Sequence, residues 1–527
     1  MTTYDQIPYP SYAYSVTHPD TLATVATLLG LHPAPVEHCR VLELGCAGGG
    51  NLIPMALGLP DGQFVGIDYS ARQVADGQMA AEAMGLKNID LRLMDILDFT
   101  PDLGIFDYII AHGIFSWVPE PVQTKILDIC RAHLAPNGVA YISYNTYPGW
   151  HMLGAARQMM LYHTRHATDP QMRAAQARAL VEFLAEAVPS DEKAGGLLPV
   201  YSGLLKKELE RWKETSDEYL LHEELEEINE PTYFYQFAER AGRHGLQYLC
   251  EAEFSNVFPN RFPPQVTQQL MKMSHNIIEM EQYMDFLRSE TFRRTCLVHQ
   301  EVSFSRSVKL ECVSMLYVSS RAEPVSASPD LGSFSEEKFH LGESLTLTTD
   351  HPVTKAAMVY LREVWPASVP FEALLDAAYA RLDVPAARQQ RALDAHVMRA
   401  NLLKAFTYSG KLVELHAHMP SFVTLAGARP VASPWARFMA RDNLHVTNLR
   451  HESVDLRESD RYLLLHLDGT HDRAALFDGL SKQLAEGALV VERAGAPIQD
   501  AGEAHKLLAE EIEQALDGFA HAALLIG

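Results

Sequence analysis

Acidic residues and glycines recur where the predicted strands of this chain end. Glu43 lies in the mostly apolar run of residues 40–44, and residues 45–50 then include four glycines. Glycine allows a sharp turn and a close approach of backbone to ligand, because it has no side chain. Two further apolar runs end in Asp68 and Asp95. Open sheets bind ligands at the carboxyl ends of their strands, so we expect these residues to share a ligand site.

The residues at these strand ends fit a positively charged nucleotide. A carboxylate at the end of the second strand can accept hydrogen bonds from both hydroxyls of a ribose. The glycine spacing is neither the G-x-G-x-x-G of dinucleotide loops nor the G-x-x-x-x-G-K-[ST] of phosphate cradles. Glu43, two residues before the first glycine, would repel a pyrophosphate but suits a cationic ligand.

Glu43 to Gly50, Asp68 and Asp95 together resemble the successive motifs of Rossmann-like S-adenosylmethionine-dependent methyltransferases. The resemblance implies that the loop backbone faces the methionine part of the cofactor, that Asp68 holds the ribose, and that Asp95 flanks the adenine. A scaffold of this fold that has lost its ligand is the alternative. The cofactor contacts that the resemblance implies are Glu43, Gly45, Cys46, Gly48, Asp68, Tyr69, Asp95, Ile96 and His112.

Composition limits the remaining classes. A chain of 527 residues is long for one core, and about three domains are expected. The net charge of -23 disfavours nucleic acid as a partner, because phosphate binding needs a basic surface. We find no signal peptide and no apolar run long enough to span a membrane. The six cysteines form no C-x-x-C pair, so we expect neither a metal site nor disulfides, and a reducing, cytoplasmic location.

Strand and helix patterns alternate through residue 145, which predicts an α/β core with a parallel sheet. The predicted strands are 40–44, 63–68, 91–96, 106–111 and 139–144, and the predicted helices are 20–29, 51–57 and 123–134. Long helices at 171–187 and 204–229 then interrupt the alternation, and a helix at 234–242 with strands at 246–254 and 295–301 resumes it. We therefore assign residues 1–150 to the cofactor-binding core, 151–230 to a helical insertion or lid, and 231–317 to completion of the core.

The C-terminal half is predicted to be mainly helical. Residues 318–350 are rich in Ser, Glu, Pro and Gly and indicate a linker. Helices at 353–364, 371–380 and 386–405, followed by a hairpin in 407–415, indicate a winged-helix-like domain at 351–419. Few basic residues lie on its predicted recognition helix, which favours protein interaction over DNA binding. Residues 420–527 form a further C-terminal domain, with a helix ending near residue 469 and an acidic, amphipathic segment over 503–516.

Four more motifs narrow the resemblance. They are residues 9–19 before the glycine loop, 143–150 after the fifth strand, 219–231 where the core resumes, and 281–294. With them, the chain resembles bacterial methyltransferases that carry a methyltransferase regulatory domain. Within that group it is similar to protein-lysine methyltransferases that modify rickettsial outer-membrane proteins. The resemblance thus implies a protein substrate with acceptor lysines, and outer-membrane or surface proteins are candidates.

Methyl transfer to lysine makes two physical demands. The protein must align the amine, the methyl carbon and the sulfur while excluding water. It must also bind the amine in its neutral form, which costs roughly 4–5 kcal/mol at pH 7 from a reference pKa of about 10.4. An apolar aromatic channel lowers that cost, and aromatic faces can hold the methylated cation.

Aromatic and polar residues lie where such a channel would form. Tyr9, Tyr12 and Tyr14 are on the N-terminal arm, and other candidates follow the fourth and fifth strands. His112 could take a proton or contact the cofactor, and Tyr144 with Asn145 could orient the amine; packing in the core is the alternative for each tyrosine. The predicted catalytic residues are His112, Tyr144, Asn145, Trp117 and Tyr9.

Two alternatives to a protein-lysine methyltransferase stay open. One is an enzyme that methylates a small molecule, and the other is a cofactor-binding interaction protein without turnover. The carboxylates of residues 223–227 are expected to be a solvated face, or to steer a basic substrate if they border the cleft. If the substrate is a protein, deletion of residues 318–527 is expected to weaken substrate binding and spare cofactor binding.

Overall fold

The structure is a computed structural model that describes residues 11–190, 196–213, 215–382, 388–486, 492–493, 496–497 and 501–527. Within these ranges, the largest sheet has seven strands: β1 (Arg40–Leu44), β2 (Gln63–Asp68), β3 (Ile89–Leu93), β4 (Phe106–Ala111), β5 (Leu134–Asn145), β6 (Leu246–Glu251) and β7 (Phe292–His299). Their order across the sheet is β3-β2-β1-β4-β5-β7-β6, and β7 runs antiparallel to both of its neighbours. The order reverses between β1 and β4, which places the ligand crevice at their carboxyl ends. This confirms the predicted fold class.

Helices cover both faces of this sheet, so its central strands are buried almost throughout. One face packs against α1 (Pro19–Leu28), α2 (Leu52–Gly58) and α3 (Ala71–Ala83). The other packs against α4 (Glu120–His133) and α9 (Phe234–Arg243). Side-chain caps start two of these helices, since Ser70 Oγ accepts from Gln73 N and His18 Nδ1 accepts from Asp20 N.

A helical insertion separates β5 from the rest of the core. It consists of α5 (Gly149–Thr164), α6 (Pro170–Ala187), α7 (Leu198–Lys213) and α8 (Asp217–Glu223), which share an apolar cluster around Val181 and Trp212. The predicted single helix over 204–229 is wrong, because α8 is a separate helix whose first turn is capped by Ser216. Two more helices, α10 (Pro264–Met273) and α11 (Ile277–Arg288), precede β7.

The predicted linker is structured. It contains β8 (Tyr317–Ser319), β9 (Glu323–Pro324), β10 (Glu337–Leu341) and β11 (Leu345–Thr349), and β9, β10 and β11 form an antiparallel sheet. The buried Lys355 amine donates to the carbonyl oxygens of Asp330, Ser333 and Ser335. The linker prediction is therefore wrong: a cation from the following helix holds this Ser-rich segment through its backbone.

Three helices follow: α12 (Pro352–Val364), α13 (Phe371–Leu382) and α14 (Arg388–Tyr408). They accompany a small sheet in the order β12-β8-β13, in which β12 is Val369–Pro370 and β13 is Glu414–His416. The predicted hairpin in 407–415 is wrong. Thr407 and Tyr408 end α14, and β13 pairs with β8, which lies about a hundred residues earlier.

The last part of the chain has its own apolar core. Its elements are α15 (Pro434–Met439), β14 (His445–Thr447), β15 (Ser453–Asp455), α16 (Glu458–His466), α17 (Arg473–Ala485), β16 (Glu492–Arg493), β17 (Ala496–Pro497) and α18 (Ala501–His521). None of the helices in the described part of the chain is long and apolar enough to cross a membrane.

A buried ionic cluster ties β6, β7 and α11 together. Arg293 is 3% exposed and contacts Glu251 at 3.2 Å, Glu281 at 2.6 Å and Asp285 at 3.1 Å. Removing a single partner from a buried ionic group leaves uncompensated charge in a medium that solvates it poorly.

We expect Arg293→Leu to destabilise the core by about 3–5 kcal/mol, because three carboxylates would lose their shared cation. In a thermal melt this corresponds to a Tm lower by roughly 5 °C or more. Arg243→Ala is the control, since the ion pair of Arg243 with Glu239 is exposed and should change Tm by about 1 °C or less. If the two variants have the same Tm, the ionic cluster does not stabilise the core as expected.

Candidate active site

A cavity of about 1810 Å³ opens at the carboxyl ends of the central strands. The N-terminal arm lines it with residues 11–16, and the insertion contributes side chains from α7 and α8. The C-terminal half contributes residues 409–411, 414–416 and 450–453. Four segments that are far apart in sequence therefore form one wall around the predicted ligand site.

The loop after β1 has the close approach that its glycines predict. Gly45 has a φ of +75°, and a Cβ there would lie 2.7 Å from Ile114 Cδ1. The amides of Gly45 and Cys46 donate to Ile67 O at 2.9 and 3.1 Å, which ties the loop to β2. Only glycine fits Gly45 without strain or displacement of Ile114.

Asp68 anchors the same loop through its carboxylate. Oδ2 accepts from Ala47 N and Oδ1 accepts from Ser70 N, both at 2.8 Å. Asp68 also lines the cavity, so its carboxylate is within the predicted ligand site. Asp95 also lines the cavity, and its Oδ1 accepts from Leu97 N at 2.9 Å.

Glu43 is a buried carboxylate with one unsatisfied oxygen. Oε1 accepts from Asn51 Nδ2 at 2.7 Å, whereas no group in the described residues donates to Oε2. Burial raises the pKa of Glu43 to about 8; the Asn51 hydrogen bond opposes this and the charge of Asp68 adds to it. An unsatisfied buried acceptor costs about 1–3 kcal/mol. A positively charged ligand group would recover that energy, so the site fits a cationic nucleotide cofactor.

Most of the predicted site residues do meet in this cavity. They are Glu43, Gly45, Cys46, Asp68, Tyr69, Asp95, Ile96, His112, Trp117 and Asn145. Tyr69 is 64% exposed and Ile96 is buried. Tyr9 lies outside the described residues.

Gly48 and Tyr144 are not among the residues that line this cavity. A Cβ on Gly48 would be 3.7 Å from Gln73 O and from Ser11 Cβ, which belong to residues of the cavity lining, and the contact of Gly48 with the cofactor stays a prediction. The Tyr144 ring stacks on Phe237 at 4.1 Å in the opposite apolar core. The prediction that Tyr144 orients a substrate amine is wrong, because adjacent strand residues point to opposite faces of a sheet.

His112 is held as a neutral imidazole. Its Nδ1 lies 2.9 Å from Tyr141 Oη, and its ring centroid lies 4.0 Å from that of Tyr14. Burial lowers the pKa of His112 to about 3, and the charge of Arg294 adds to the effect. Such a weak base does not remove a proton from an ammonium at neutral pH, so His112 suits a contact role better than proton transfer.

Asn145 and Trp117 also line the cavity. The backbone N–H of Asn145 donates to Ser116 Oγ at 2.9 Å, and Asn145 Nδ2 donates to Asn229 Oδ1 at 3.0 Å. The Trp117 ring meets that of Trp150 edge to face at 6.3 Å. The insertion and the end of β5 therefore fix both side chains.

Sequence reasoning missed several cavity residues. Asn51 directly follows the glycines. A polar side chain at the start of a helix, close to the acid before the loop, could have identified it as a site residue from sequence. Arg450 and His451 approach from a different domain, and no local pattern marks them. For the carboxylates Glu223 and Glu224 the sequence left two alternatives, a solvated face or a place at the border of the cleft, and both residues line the cavity.

Family models match three consecutive parts of the chain. A methyltransferase domain matches residues 35–226, and a predicted methyltransferase regulatory domain matches 216–299. A PKMT C-terminal winged-helix domain matches 428–524. The winged-helix match lies C-terminal to residues 351–419, where the sequence had suggested such a domain to us.

Relatives extend over nearly the whole chain. An uncharacterised protein of Rickettsia prowazekii is 33% identical over 530 residues, covering 99% of this chain and 93% of the relative. The solved structure of PKMT2 from Rickettsia typhi in complex with AdoHcy has a TM-score of 0.85 and 28% identity, covering 99% of this chain and 100% of that one. The chain belongs to this methyltransferase family. It is an S-adenosylmethionine-dependent methyltransferase with a regulatory and a winged-helix domain, as the resemblance implied.

We expect Asp68→Ala to weaken S-adenosylmethionine binding by about 100-fold or more, because hydrogen bonds to a charged group contribute roughly 1.5–3 kcal/mol each. The substitution also removes the acceptor of the Ala47 and Ser70 amides. Calorimetric titration measures the effect, and Asp90→Ala, an exposed acid paired with Arg92, is the control. Wild-type affinity in Asp68→Ala would refute the role of this carboxylate.

The pKa of Glu43 predicts a pH-dependent stability of the cofactor-free enzyme. Because the folded-state pKa is about 8, against an ordinary value of 4.5, the contribution of the protonated carboxyl is complete below pH 4.5 and is lost as pH rises through 8. We therefore expect the Tm of Glu43→Gln relative to wild type to increase from pH 5 to 8 and then level off. Thermal melts across this range give the difference, and a constant difference would exclude the raised pKa.

Proposed function

We propose that this methyltransferase transfers methyl groups from S-adenosylmethionine to lysine side chains of a protein, with outer-membrane and surface proteins as candidate acceptors. PKMT, the designation of the winged-helix model, stands for protein lysine methyltransferase, and PKMT2 of Rickettsia typhi carries the same designation. The observation that carries the proposal is that the N-terminal arm and the insertion contribute aromatic and acidic side chains to the cavity lining, among them Tyr14, Tyr219 and Glu223.

The cofactor contacts that we propose follow the strand ends. Asp68 holds the ribose hydroxyls, Asp95 and Ile96 flank the adenine, and the Gly45 loop lets the methionine part approach. Glu43, whose Oε2 has no hydrogen-bond partner among the described residues, faces the cationic end. When bound, S-adenosylmethionine supplies the electrophilic methyl carbon.

The acceptor side of the cavity is formed by the arm and the insertion. Tyr14 contacts His112, and burial raises the pKa of Tyr14, with the charges of Glu223 and Glu43 adding to the shift. The Tyr14 hydroxyl therefore stays protonated close to carboxylates from both the insertion and the loop. Tyr219, from the same helix as Glu223, lines this region as well.

These groups suit an incoming lysine. Glu223 attracts the ammonium to the cavity and can accept a hydrogen bond from it. Enclosure by Tyr14, Trp117 and Tyr219 disfavours the charged form and lowers the pKa of the amine. Since His112 is too weak a base, the proton leaves to solvent, and the neutral amine is then aligned for in-line attack.

The size of the cavity favours a macromolecular acceptor over a small molecule. Pockets for small ligands are typically about 300–1,000 Å³, whereas this cavity is about 1810 Å³ and reaches from the glycine loop to the C-terminal half. A cofactor alone does not need walls from the insertion and two C-terminal segments.

The test is to incubate the purified enzyme with isotope-labelled S-adenosylmethionine and cell-envelope extract, and to locate the label by mass spectrometry. The proposal expects methyl-lysine in one or a few proteins. Label found only in small molecules, or at other side chains, would contradict it.

Glu223→Gln is expected to raise KM for the protein acceptor by about 5- to 10-fold, because a carboxylate that attracts the ammonium is lost. Binding of S-adenosylmethionine should stay at the wild-type level. Glu227→Gln is the matched control, since Glu227 is an exposed carboxylate four residues away. If both variants behave alike, Glu223 has no role in acceptor binding.

A further inference from the structure

His451 brings the winged-helix part of the chain into contact with the cofactor loop. It lies between β14 and β15, 400 residues after Asn51, yet its Nε2 is 2.8 Å from Asn51 Oδ1. Both side chains are buried. Asn51 is also the residue whose Nδ2 donates to Glu43 Oε1.

The Asn51 amide is oriented by donors at its oxygen. Oδ1 accepts from Tyr14 N at 3.0 Å and from His451 Nε2, while Thr17 Oγ1 lies 3.2 Å away. A flipped amide would place Nδ2 against the N–H groups of Tyr14 and His451 and leave Glu43 facing an oxygen. The arrangement around Oδ1 therefore keeps the Nδ2 hydrogens on the Glu43 side.

We propose that His451 is a positioning residue through which the C-terminal domain sets the Asn51 amide, and with it the Glu43 carboxylate, for S-adenosylmethionine binding. His451 touches no reacting atom; it acts through Asn51. The winged-helix part of the chain thereby completes the cofactor site in addition to any role in substrate binding.

Packing around α2 supports this coupling. Trp435 of α15 clusters with Ile53 of α2 and Ala80 of α3. Next to His451, Arg450 forms an ion pair with Glu414 and donates from Nη1 to Pro366 O at 2.9 Å. The C-terminal domain thus holds α2 along its side and also at Asn51, the residue that precedes it.

The ionisation of His451 is compatible with a fixed donor. Burial lowers its pKa well below the ordinary value, and the neighbouring His18, whose ring centroid lies 5.0 Å away, adds to the effect. The imidazole is neutral at physiological pH and donates from Nε2 to the Asn51 oxygen. Deletion of residues 318–527 should consequently weaken cofactor binding, which revises the expectation from sequence.

The experiment compares His451→Leu, which removes the donor, with His451→Gln, whose amide N–H can replace it. His418→Leu is the control: His418 Nδ1 contacts Glu37 Oε1 at 2.7 Å, another contact between the C-terminal half and the core, but one away from Asn51. Dissociation constants for S-adenosylmethionine and S-adenosylhomocysteine are measured by calorimetry between pH 6 and 9, with a thermal melt of each full-length variant.

We expect His451→Leu to bind S-adenosylmethionine about 3- to 10-fold more weakly at pH 7.5, as for the loss of one hydrogen bond. Its pH midpoint for binding should also move upward, because a disordered Asn51 no longer stabilises the Glu43 carboxylate. The other titratable groups near Glu43, namely Asp68, Cys46, Tyr14 and, beyond His451, His18, are the same in every variant. His451→Gln and His418→Leu should stay within about twofold of wild type.

A folded His451→Leu with wild-type affinity and an unchanged pH midpoint would overturn the proposal. Equal weakening by His418→Leu would also overturn it, since the effect would then belong to domain docking in general. If His451→Leu does not fold, His451→Asn decides, because asparagine tolerates the φ of +61° at this position and is too short to reach Asn51. His451→Asn is expected to show the same weakening and the same shift.

Discussion

The site depends on one buried carboxylate, that of Glu43, whose hydrogen bonding among the described residues is incomplete. Glu43 is buried beside the glycine loop and α2; Asn51 donates to its Oε1, and no group in the part of the chain that the structure describes donates to its Oε2. An ionised carboxylate in such a place is unfavourable until a cation arrives. The surrounding segments bury Glu43 and hold its Oε1 through Asn51. A ligand that carries positive charge beside a ribose would remove the free-energy cost of this unsatisfied group, so the site favours such a ligand.

The other parts of the chain are arranged around this constraint. The N-terminal arm covers the loop, since Gly50 N donates to Ser11 Oγ at 2.7 Å. The insertion adds Tyr219 and Glu223 to the lining of the same cavity. The C-terminal domain reaches Asn51 through His451. Cofactor binding and acceptor binding therefore depend on the same cavity, which domains distant in sequence complete.

The sheet and most of its ligand-facing ends were predictable because they depend on local patterns. The strand at residues 106–111 was predicted with its observed bounds, since a buried strand is mostly apolar and Asp107 is the one charged residue in these six. The prediction for Tyr144 was wrong because adjacent residues of a strand point to opposite faces of the sheet. The sequence does not show which of two polar neighbours faces the cavity. The sequence did not predict the pairing of β13 with β8 or the contact of His451 with Asn51. These interactions join residues separated by about a hundred and by 400 positions. Local composition contains no trace of such contacts.

The most direct measurement of the central claim is the number of protons released when S-adenosylmethionine binds, obtained by calorimetry at pH 7 in buffers of different ionisation enthalpy. Because the pKa of Glu43 is raised to about 8 in the free enzyme and a bound cation favours the carboxylate, binding should release between about half a proton and one proton per site. Glu43→Gln should release none. If the wild-type protein binds S-adenosylmethionine without releasing protons, Glu43 is not protonated in the free enzyme, and its proposed role in cofactor binding is contradicted.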